Sequence, residues 1–205
     1  MATAYLLGHP VAHSLSPAMH NAAFKALGLP HLYEVRDVEP ERLGDVVDAL
    51  RADDVLGANV TIPHKEAALR LVDELAAEAR RIGAVNTIVR RSSRLVGDNT
   101  DAYGFAQSLA AARVDVTGKD VMVLGAGGAA RAAVVALGAA RSVIVAARRL
   151  DRARLSARSR VRFATETSTP ARRSSTTHAR AAPPAPSTRA RRALIDASSS
   201  ARPKP

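Results

Sequence analysis

The chain has 205 residues, 47% of them hydrophobic, and its 30 basic and 19 acidic side chains give a formal net charge of +11. That length is enough for one large domain or two small ones, and the absence of cysteine excludes disulfides and thiolate chemistry. We expect a cytoplasmic protein with no membrane partner. The start of the chain lacks a secretory signal pattern, and no apolar run approaches the roughly 20 residues that span a bilayer.

Most of the positive charge lies in the last quarter of the chain. Residues 151–205 carry 13 basic and three acidic side chains, whereas residues 1–150 have a net charge of only +1. The first 150 residues therefore give no electrostatic reason to expect DNA or RNA as a partner. The basic tail lacks the interleaved aromatic side chains that stack on bases, so a nucleic-acid binder is the weakest alternative.

Strands and helices alternate along the first half of the chain. The short buried strand "TAYLLG" precedes a helix in "SPAMHNAAFKALGLP", for which Ser16 is the expected N-cap and Pro17 the first helical residue. The apolar pattern then predicts, in order, a strand at 31–38, a helix at 40–52 and a strand at 55–61.

The same alternation continues to about residue 150. Residues 63–83 are predicted to be helical in two pieces, with Lys65 in the first turn, and 84–100 to form two strands joined at 91–93. A helix capped near Asp101 follows. The stretch "DVMVLGAGGAARAAVVALGAARSVIVAARR" predicts a strand, a glycine turn, a helix and another strand. Strands that alternate with helices indicate a mostly parallel sheet, and two such series indicate two α/β domains.

The glycine turn matches the pattern G-x-G-x-x-A, in Gly125-Ala126-Gly127-Gly128-Ala129-Ala130. Gly125 permits the tight turn, Gly127 lets a pyrophosphate approach the backbone, and Ala130 allows the helix to pack closely on the strand. The N-terminus of the helix offers free N–H groups and a partial positive charge to a phosphate. The alternative is a glycine-rich turn without a ligand.

The end of the following strand, Ala147-Arg148-Arg149, bears on the choice of coenzyme. An NAD site has an acidic residue at this position, whereas guanidinium groups pair well with the oxygens of a 2′-phosphate. Arg148 and Arg149 therefore predict NADP rather than NAD. The alternative is that the two arginines merely begin an exposed basic helix.

Polar residues cluster where the predicted strands end or the helices begin. Ligands of open α/β sheets bind in the crevice at the carboxyl ends of the strands. Hydroxyls, amides, a lysine and a carboxylate gathered there suit a small polyhydroxylated acid. The clusters are His13-Ser14-Leu15-Ser16, Asn59-Val60-Thr61, His64-Lys65, Asn86-Thr87 and Asn99-Thr100-Asp101.

Lys65 and Asp101 form a proton-transfer pair by residue type. A carboxylate can orient an amine, and hydride transfer to a ketone needs a proton for the developing alkoxide, which Lys65 can give. No metal site is predicted. Each residue has an ordinary alternative: a solvated side chain for Lys65, a helix cap for Ser16 and Asp101, and a structural role for His13, His64 and especially His20.

These motifs, in this order, resemble the shikimate dehydrogenase family. The matching stretches are "GHPVAHSLSPAMHN" (8–21), "NVTIPHK" (59–65), "GAVNT" (83–87), "GDNTDAYG" (97–104) and "GAGGAAR" (125–131). The likeness covers about residues 3–157. It implies reversible, NADPH-dependent reduction of 3-dehydroshikimate to shikimate in aromatic amino-acid biosynthesis. Quinate or an amino analogue stays open as the substrate.

The resemblance also implies roles for single residues. Lys65, paired with Asp101, would be the catalytic acid/base, and Gly125 to Ala129 would bind the pyrophosphate. The family's Asn-Arg-Thr run at the adenosine phosphate is here Ala147-Arg148-Arg149, so the arginine is kept and its neighbours differ. The implied substrate-binding residues are Ser14 and Ser16 at the carboxylate, and Thr61, Asn86 and Asp101 at the ring hydroxyls.

The predicted organisation is an α/β protein with a substrate domain at 1–104 and the first half of a Rossmann-type NADP-binding domain at 105–157. We expect residues 158–205 to be a disordered, low-complexity basic tail, with "RVRFATE" and "RALID" as its strand-like stretches. The rest of the family's nucleotide-binding half and its late glutamine-bearing helix are not found, which suggests a shift of reading frame near 155–160. The alternative function is a non-catalytic chain that at most binds shikimate, and a homodimer stays open.

Overall fold

The computed structural model describes residues 1–147 and the strand Val161–Ala164. Residues 148–160 and 165–205 lie outside the described residues. Arg148, Arg149 and most of the predicted tail therefore have no structural description, and the predictions made for them stay predictions.

The described residues contain nine strands and five α-helices, and their order follows the predicted alternation except at β4 and β9. In chain order these are β1 (Thr3–Gly8), α1 (Ser16–Ala26), β2 (Leu32–Asp37), α2 (Leu43–Ala49), β3 (Val55–Val60), β4 (Glu74–Leu75), α3 (Ala77–Ile82), β5 (Thr87–Arg91), β6 (Arg94–Asp98), α4 (Asp101–Ala111), β7 (Asp120–Leu124), α5 (Gly128–Ala136), β8 (Ser142–Ala146) and β9 (Val161–Ala164). Two 3₁₀ helices, Pro40–Arg42 and Ala67–Arg70, complete the set for this part of the chain.

The first sheet has six strands in the order β2-β1-β3-β5-β6-β4. β1 is parallel to β2 and β3, and β4 is parallel to β6, whereas β5 runs antiparallel to both of its neighbours. The predicted mostly parallel α/β architecture is confirmed. Because β1 and β3 are parallel neighbours, with Leu7 opposite Val60, the loops that follow these strands leave the sheet at the same edge.

Apolar residues of the central strands and of α2 fill the core beneath this sheet. The largest side chains that are almost fully buried there are Leu7, Leu43, Val47, Leu50, Val60, Ile88 and Leu95. Complete burial of one such side chain contributes about 1.5–3 kcal/mol. This core therefore holds rigid the edge from which the polar loops emerge.

The second sheet has the order β7-β8-β9, and all its strands are parallel. α5 follows β7 through the glycine turn, and its Val134 and the C-cap residue Leu137 pack in one cluster with Val143 and Val145 of β8. This is the predicted strand, glycine turn, helix and strand. β9 lies in the segment assigned to the tail, in "RVRFATE". The assignment is corrected for these four residues, because their backbone groups extend the sheet by pairing with β8.

The segment after β3 differs from its prediction. No helix begins at Pro63, because residues 62–66 form turns and helical structure starts only with the 3₁₀ helix Ala67–Arg70. Lys65 therefore lies in a turn. The middle of the predicted helical stretch is the short strand β4, which pairs with β6, and only α3 remains as an α-helix.

Two predicted helix caps also differ. Ser16 and Asp101 are the first residues of α1 and α4 rather than their N-caps, and neither helix has a side-chain hydrogen bond from its N-cap residue. The Ser16 hydroxyl instead accepts a hydrogen bond from Ser14, and the Asp101 carboxylate accepts one from Lys65. Both side chains therefore bond partners outside their own helices.

Both sheets belong to one unit of the chain, Met1–Thr167. The contacts within this unit do not separate a substrate domain at 1–104 from a nucleotide domain at 105–157, so that division stays a prediction. Among the residues that the structure describes, no helix is both long enough and apolar enough to cross a membrane.

Candidate functional site

The polar clusters lie along one edge of the first sheet. β5 runs antiparallel to β3 and β6, so the carboxyl ends of β3 and β6 point the same way as that of β1. Lys65 follows β3 in a turn, and its carbonyl accepts a hydrogen bond from the Val85 N–H at 2.7 Å. Asp101 begins α4 shortly after β6. Residues that are distant in sequence therefore meet at this edge.

Lys65 and Asp101 form an ion pair, with Lys65 Nζ 2.6 Å from Asp101 Oδ2. Their side chains are 19% and 27% exposed, so the pair is accessible to a small molecule but largely shielded from water. A charge-assisted hydrogen bond in such surroundings is stronger than a solvent-exposed ion pair. The structure thus brings together the two residues that the sequence analysis paired, while their roles stay proposals.

The Asp101 carboxylate and backbone are held by two amides. Asn86 Nδ2 donates to Asp101 Oδ1 at 2.8 Å, and the Asp101 N–H donates to Oδ1 of Asn99 at 2.9 Å. Asn99 is buried and donates from Nδ2 to the Ala84 carbonyl at 2.9 Å. The first turn of α4 also favours negative charge, because a helix N-terminus carries a partial positive charge. The Asp101 side chain is therefore held in one orientation, with Oδ1 toward Asn86 and Oδ2 toward Lys65.

A chain of hydrogen bonds connects Asn86 to the interior of the sheet. Thr87 Oγ1 donates to Asn86 Oδ1 at 2.8 Å, and Asn59 Nδ2 donates to Thr87 Oγ1 at 3.4 Å. Tyr33 then donates its hydroxyl to Asn59 Oδ1 at 2.8 Å, and burial raises the pKa of Tyr33 to about 12, which keeps that hydroxyl protonated. The chain orients the Asn86 NH₂ toward Asp101. Tyr33 was not among the predicted site residues, since nothing in the alternation of β2 marks it.

The loops after β1 and β3 add three hydroxyl groups. Ser14 Oγ donates to Ser16 Oγ at 3.2 Å and accepts from the Ser16 N–H at 3.2 Å. Thr61 follows β3, and its N–H donates to the Leu7 carbonyl at 2.8 Å. A Cβ on Gly8 would come within 2.4 Å of Thr61 Cγ2, so the glycine lets the two loops approach. The serine pair and Thr61 therefore emerge from neighbouring strands.

The histidines of the motifs have different environments. His64 is 1% exposed, and its Nε2 lies 2.7 Å from the Val38 carbonyl oxygen, so it is structural. His20 stacks on Tyr33 with ring centroids 4.2 Å apart, which agrees with the structural role favoured for it. His13 is exposed. Within "NVTIPHK", the histidine thus anchors the turn and the lysine enters the polar site.

The turn between β7 and α5 has the backbone of a phosphate site. Gly125 has a φ of +114°, which L residues with a side chain rarely adopt. A Cβ on Gly127 would meet nothing within 4 Å, so the space beside the turn is open. Gly127 is the N-cap of α5 and brings no side-chain bond, which leaves the first N–H groups of the helix for an anion. Together with Ala126, Gly128 and Ala129, these residues fit a dinucleotide pyrophosphate.

The start of α5 lies against the lysine turn. A Cβ on Gly128 would approach the Cβ of Lys65 to 3.2 Å. Arg131, one turn later, is buried at 6% exposure, with Nη2 3.1 Å from Glu66 Oε2 and Nη1 donating to the Gly83 carbonyl at 3.1 Å. The sequence analysis gave Arg131 and Glu66 no role. The available signal was a charged residue on the inward face of a helix otherwise made of Gly, Ala and Val.

The fold and the site define an α/β protein with a cluster of polar side chains at a sheet edge and a glycine-turn helix beside it. A family model described as the shikimate dehydrogenase substrate binding domain matches residues 6–88. The chain is 56% identical over 135 residues to the shikimate dehydrogenase (NADP(+)) of Symbiobacterium thermophilum, over 66% of this chain and 46% of that protein. It is 51% identical over 150 residues to the enzyme of the same name from Carboxydothermus hydrogenoformans, over 73% of this chain and 54% of that protein.

Solved structures give the same result. Shikimate 5-dehydrogenase from Thermus thermophilus, in complex with NADP(H) and shikimate, matches with a TM-score of 0.71 and 44% identity, over 80% of this chain and 63% of that one. Shikimate dehydrogenase 1 from Peptoclostridium difficile matches with a TM-score of 0.76 and 33% identity, over 80% of this chain and 62% of that one. These matches confirm the resemblance to the shikimate dehydrogenases. The chain spans about half the length of the curated relatives it matches.

Proposed function

We propose that the chain is a shikimate dehydrogenase, with its substrate-binding domain in the first half of the chain. It would catalyse reversible, NADPH-dependent reduction of 3-dehydroshikimate to shikimate. The observation that carries the proposal is the Lys65–Asp101 pair, bonded further to Asn86, at a sheet edge in a chain that matches the family's substrate-binding domain over 6–88. The Thermus thermophilus relative was solved in complex with NADP(H) and shikimate, and this supports both ligands.

The substrate is proposed to lie across the carboxyl ends of β1, β3 and β6. Ser14 and Ser16, with hydroxyl oxygens 3.2 Å apart, can both donate to one carboxylate. Thr61, Asn86 and Asp101 would bond the ring hydroxyls. A carboxylate offers about four acceptor positions, and the bonds from the lysine and the amide use two of them, so Asp101 retains capacity for a substrate hydroxyl.

Lys65 is proposed as the proton donor. The coenzyme, when bound, supplies the hydride that reduces the carbonyl carbon. The carbonyl oxygen then needs one proton, which Lys65 Nζ donates, and in the reverse direction the same nitrogen takes the proton from the alcohol. Asp101, 2.6 Å from Nζ, orients the ammonium and stabilises its charge before the transfer. The partial exposure of Lys65 lets it regain its proton from water.

The coenzyme is proposed to bind at the glycine turn. Its pyrophosphate would face the first N–H groups of α5, which the turn leaves open. At the end of β8, Arg148 and Arg149 would pair with a 2′-phosphate and so select NADP over NAD. The residues proposed to contact the pyrophosphate are Gly125, Ala126, Gly127, Gly128 and Ala129. In this organisation 1–104 forms the substrate domain and 105–157 the start of a Rossmann-type domain.

A second candidate function is binding of shikimate without turnover. The chain matches 46% and 54% of the lengths of its two curated relatives, and the described part of its second sheet contains three strands. A short parallel sheet leaves strand edges unpaired and apolar faces uncovered. The proposed substrate residues follow strands of the six-stranded sheet, so shikimate can bind there even where the coenzyme site is not formed.

Two measurements on the 205-residue chain separate these candidates. Calorimetric titration with shikimate measures binding, and the formation of NADPH from NADP⁺ and shikimate measures turnover. Binding with turnover supports the dehydrogenase, and binding without turnover supports the second candidate. A folded chain that shows neither contradicts both. Lys65→Ala is tested in both assays, and Lys119→Ala, which changes an exposed lysine, is its matched control.

We propose a cytoplasmic protein whose partner is a small-molecule substrate rather than a nucleic acid. A homodimer stays a prediction, and sedimentation equilibrium on the purified chain would test it.

A further inference from the structure

We propose that α5, the helix that follows the glycine turn, positions the catalytic lysine: Arg131 clamps the turn that carries Lys65 through Glu66, and Gly128 leaves the space that the lysine stem occupies. This inference deepens the proposed function, since it rests on the role proposed for Lys65. Arg131 is a positioning residue, because it acts through Glu66 and the backbone rather than on a reacting atom.

Arg131 has the environment of a clamp. Its side chain is 7% exposed, and arginine is almost never buried unless it is paired. One terminal nitrogen meets the Glu66 carboxylate at 3.1 Å, and the other donates to the Gly83 carbonyl at 3.1 Å. Gly83 is the left-handed residue that ends α3, with a φ of +72°. One guanidinium group thus joins α5, the lysine turn and the end of α3.

The two segments that Arg131 joins are also bonded to each other. Glu66 is the residue after Lys65, and the Lys65 carbonyl accepts from the N–H of Val85, two residues after Gly83. Arg131 therefore closes a small ring in which the lysine turn and residues 83–85 are held together at two points. The turn fixed in this way carries the Lys65 side chain, whose amine bonds Asp101 at 2.6 Å.

Gly128 lies directly against the side chain of Lys65. A Cβ at this position would lie 3.2 Å from Lys65 Cβ and 3.4 Å from Lys65 Cδ, and 3.2 Å from Ala84 Cβ. Small side chains continue this contact, since Ala132 of α5 packs in one cluster with Ala84 and Ala102. The close approach of α5 to the lysine turn therefore depends on Gly and Ala at the face of the helix that meets it.

This arrangement couples the two halves of the proposed reaction. The N–H groups proposed for the coenzyme phosphate belong to the first turn of α5, and the clamp on the lysine turn belongs to the same helix one turn later. A rigid helix fixes the distance between these two points. The position of the proton donor is therefore set by the element that receives the coenzyme.

The test measures the chemical reactivity of Lys65 in the 205-residue chain without substrate or coenzyme. Acylation by a water-soluble N-hydroxysuccinimide acetate is followed by peptide mass spectrometry, with the exposed Lys25 and Lys119 as internal references. The variants are Arg131→Met, Arg131→Lys, Glu66→Gln and Gly128→Ala. The matched control is Arg141→Met, which removes an exposed arginine–carboxylate pair on the same half of the chain.

We expect Arg131→Met and Glu66→Gln to raise the acylation rate of Lys65 about fivefold relative to the references, because the turn opens locally. Arg131→Lys restores the charge and should fall between Arg131→Met and the parent chain. Gly128→Ala should change the Lys65 rate with the clamp intact, and Arg141→Met should not change it. A general loss of stability would not raise the acylation rate of Lys65 alone, and Arg131→Lys would not reverse it.

An unchanged Lys65 rate in variants that keep the native circular dichroism overturns the inference. If Arg131→Met does not fold, Glu66→Gln decides, since it keeps the bond from Arg131 to Gly83. The outcome is independent of the proposed function. A Lys65-specific change in a chain that neither binds nor oxidises shikimate would support the clamp and contradict the function.

Discussion

Lys65 Nζ lies 2.6 Å from Asp101 Oδ2, although 36 positions separate the two residues in the sequence. The contact depends on strand direction. Because β5 runs antiparallel between β3 and β6, the ends of β3 and β6 reach the same edge, one delivering the lysine turn and the other the start of α4. The pair is thus a product of the topology of the first sheet, and its consequences can be measured.

The first prediction concerns catalysis by Lys65. In a chimeric chain, with residues 1–147 continued by the corresponding remainder of the Thermus thermophilus relative, Lys65→Ala should lower kcat by about 10²–10⁴-fold, the usual loss for a general acid. KM should change far less, since the ammonium acts mainly in the transition state. Steady-state kinetics with shikimate and NADP⁺ measure both constants. Lys119→Ala should have the kcat and KM of the parent. A Lys65→Ala variant with a raised KM and an unchanged kcat would instead make the lysine a binding residue.

The second prediction concerns Ser16, whose hydroxyl bonds Ser14 instead of capping α1. Ser16→Ala should change the free energy of unfolding by no more than about 0.5 kcal/mol, the usual range away from specific interactions. Shikimate affinity should fall by about 10- to 100-fold, since a hydrogen bond to a charged group contributes about 1.5–3 kcal/mol. Urea unfolding and calorimetry measure the two effects. A loss of about 1 kcal/mol of stability with unchanged affinity would instead indicate a cap.

The third prediction concerns Gly57 in β3. Its φ is +145°, and a Cβ there would lie 2.1 Å from the Ile88 carbonyl oxygen of β5. Gly57→Ala should lower the free energy of unfolding by about 3 kcal/mol, because both the backbone and the neighbouring strand must move. Gly44→Ala is the matched control. Gly44 lies in α2 with nothing within 4 Å of an added Cβ, so alanine should stabilise the helix there by about 0.5–1 kcal/mol. Equal effects at both positions would contradict the structure of β3.

The fourth prediction concerns pH. The guanidinium of Arg51 and the N–H of Leu95 bond Asp73, and they lower the pKa of that carboxyl to about 2. A folded-state pKa below the unfolded value of about 3.9 stabilises the fold above that value, and the stabilisation is lost as pH falls toward 2. The difference in free energy of unfolding between the parent and Asp73→Asn should therefore be constant from pH 5 to 7 and shrink below about pH 4.

Denaturant unfolding at a series of pH values tests this prediction. Asp48→Asn is the control, because Asp48 bonds the same arginine at 3.2 Å but its side chain is 78% exposed. It should have little effect at any pH. A difference for Asp73→Asn that is as large at pH 2.5 as at pH 6 would contradict the assigned pairing.

Local patterns in the sequence predict all strands except β4 and β9, and most helices. Alternation marks β2, short apolar runs mark β1 and β3, and the order of polar motifs marks Lys65 and Asp101 as candidates. The sequence does not predict that Lys65 lies in a turn or that Ser16 starts a helix without capping it. Those features depend on contacts made far along the chain, such as the bond between the Lys65 carbonyl and Val85.

The contacts of Arg131 are a second feature that local sequence patterns do not predict. Its partners, Glu66 and Gly83, lie 65 and 48 positions away, and no local pattern indicates which carboxylate a buried guanidinium will meet. The stretch that forms β9 is strand-like in sequence, but its pairing with β8 is not marked by any local pattern. Topology and packing therefore decide what periodicity leaves open.

Calorimetric titration of shikimate into the 205-residue chain tests the central claim most directly. The site at the edge of the first sheet predicts saturable binding to one site with a Kd of about 1 mM or tighter, typical of enzyme substrates. Ser14→Ala/Ser16→Ala should weaken that binding at least about tenfold while the chain stays folded. A folded parent chain that takes up no shikimate at concentrations of about 10 mM, well above that range, would contradict the account.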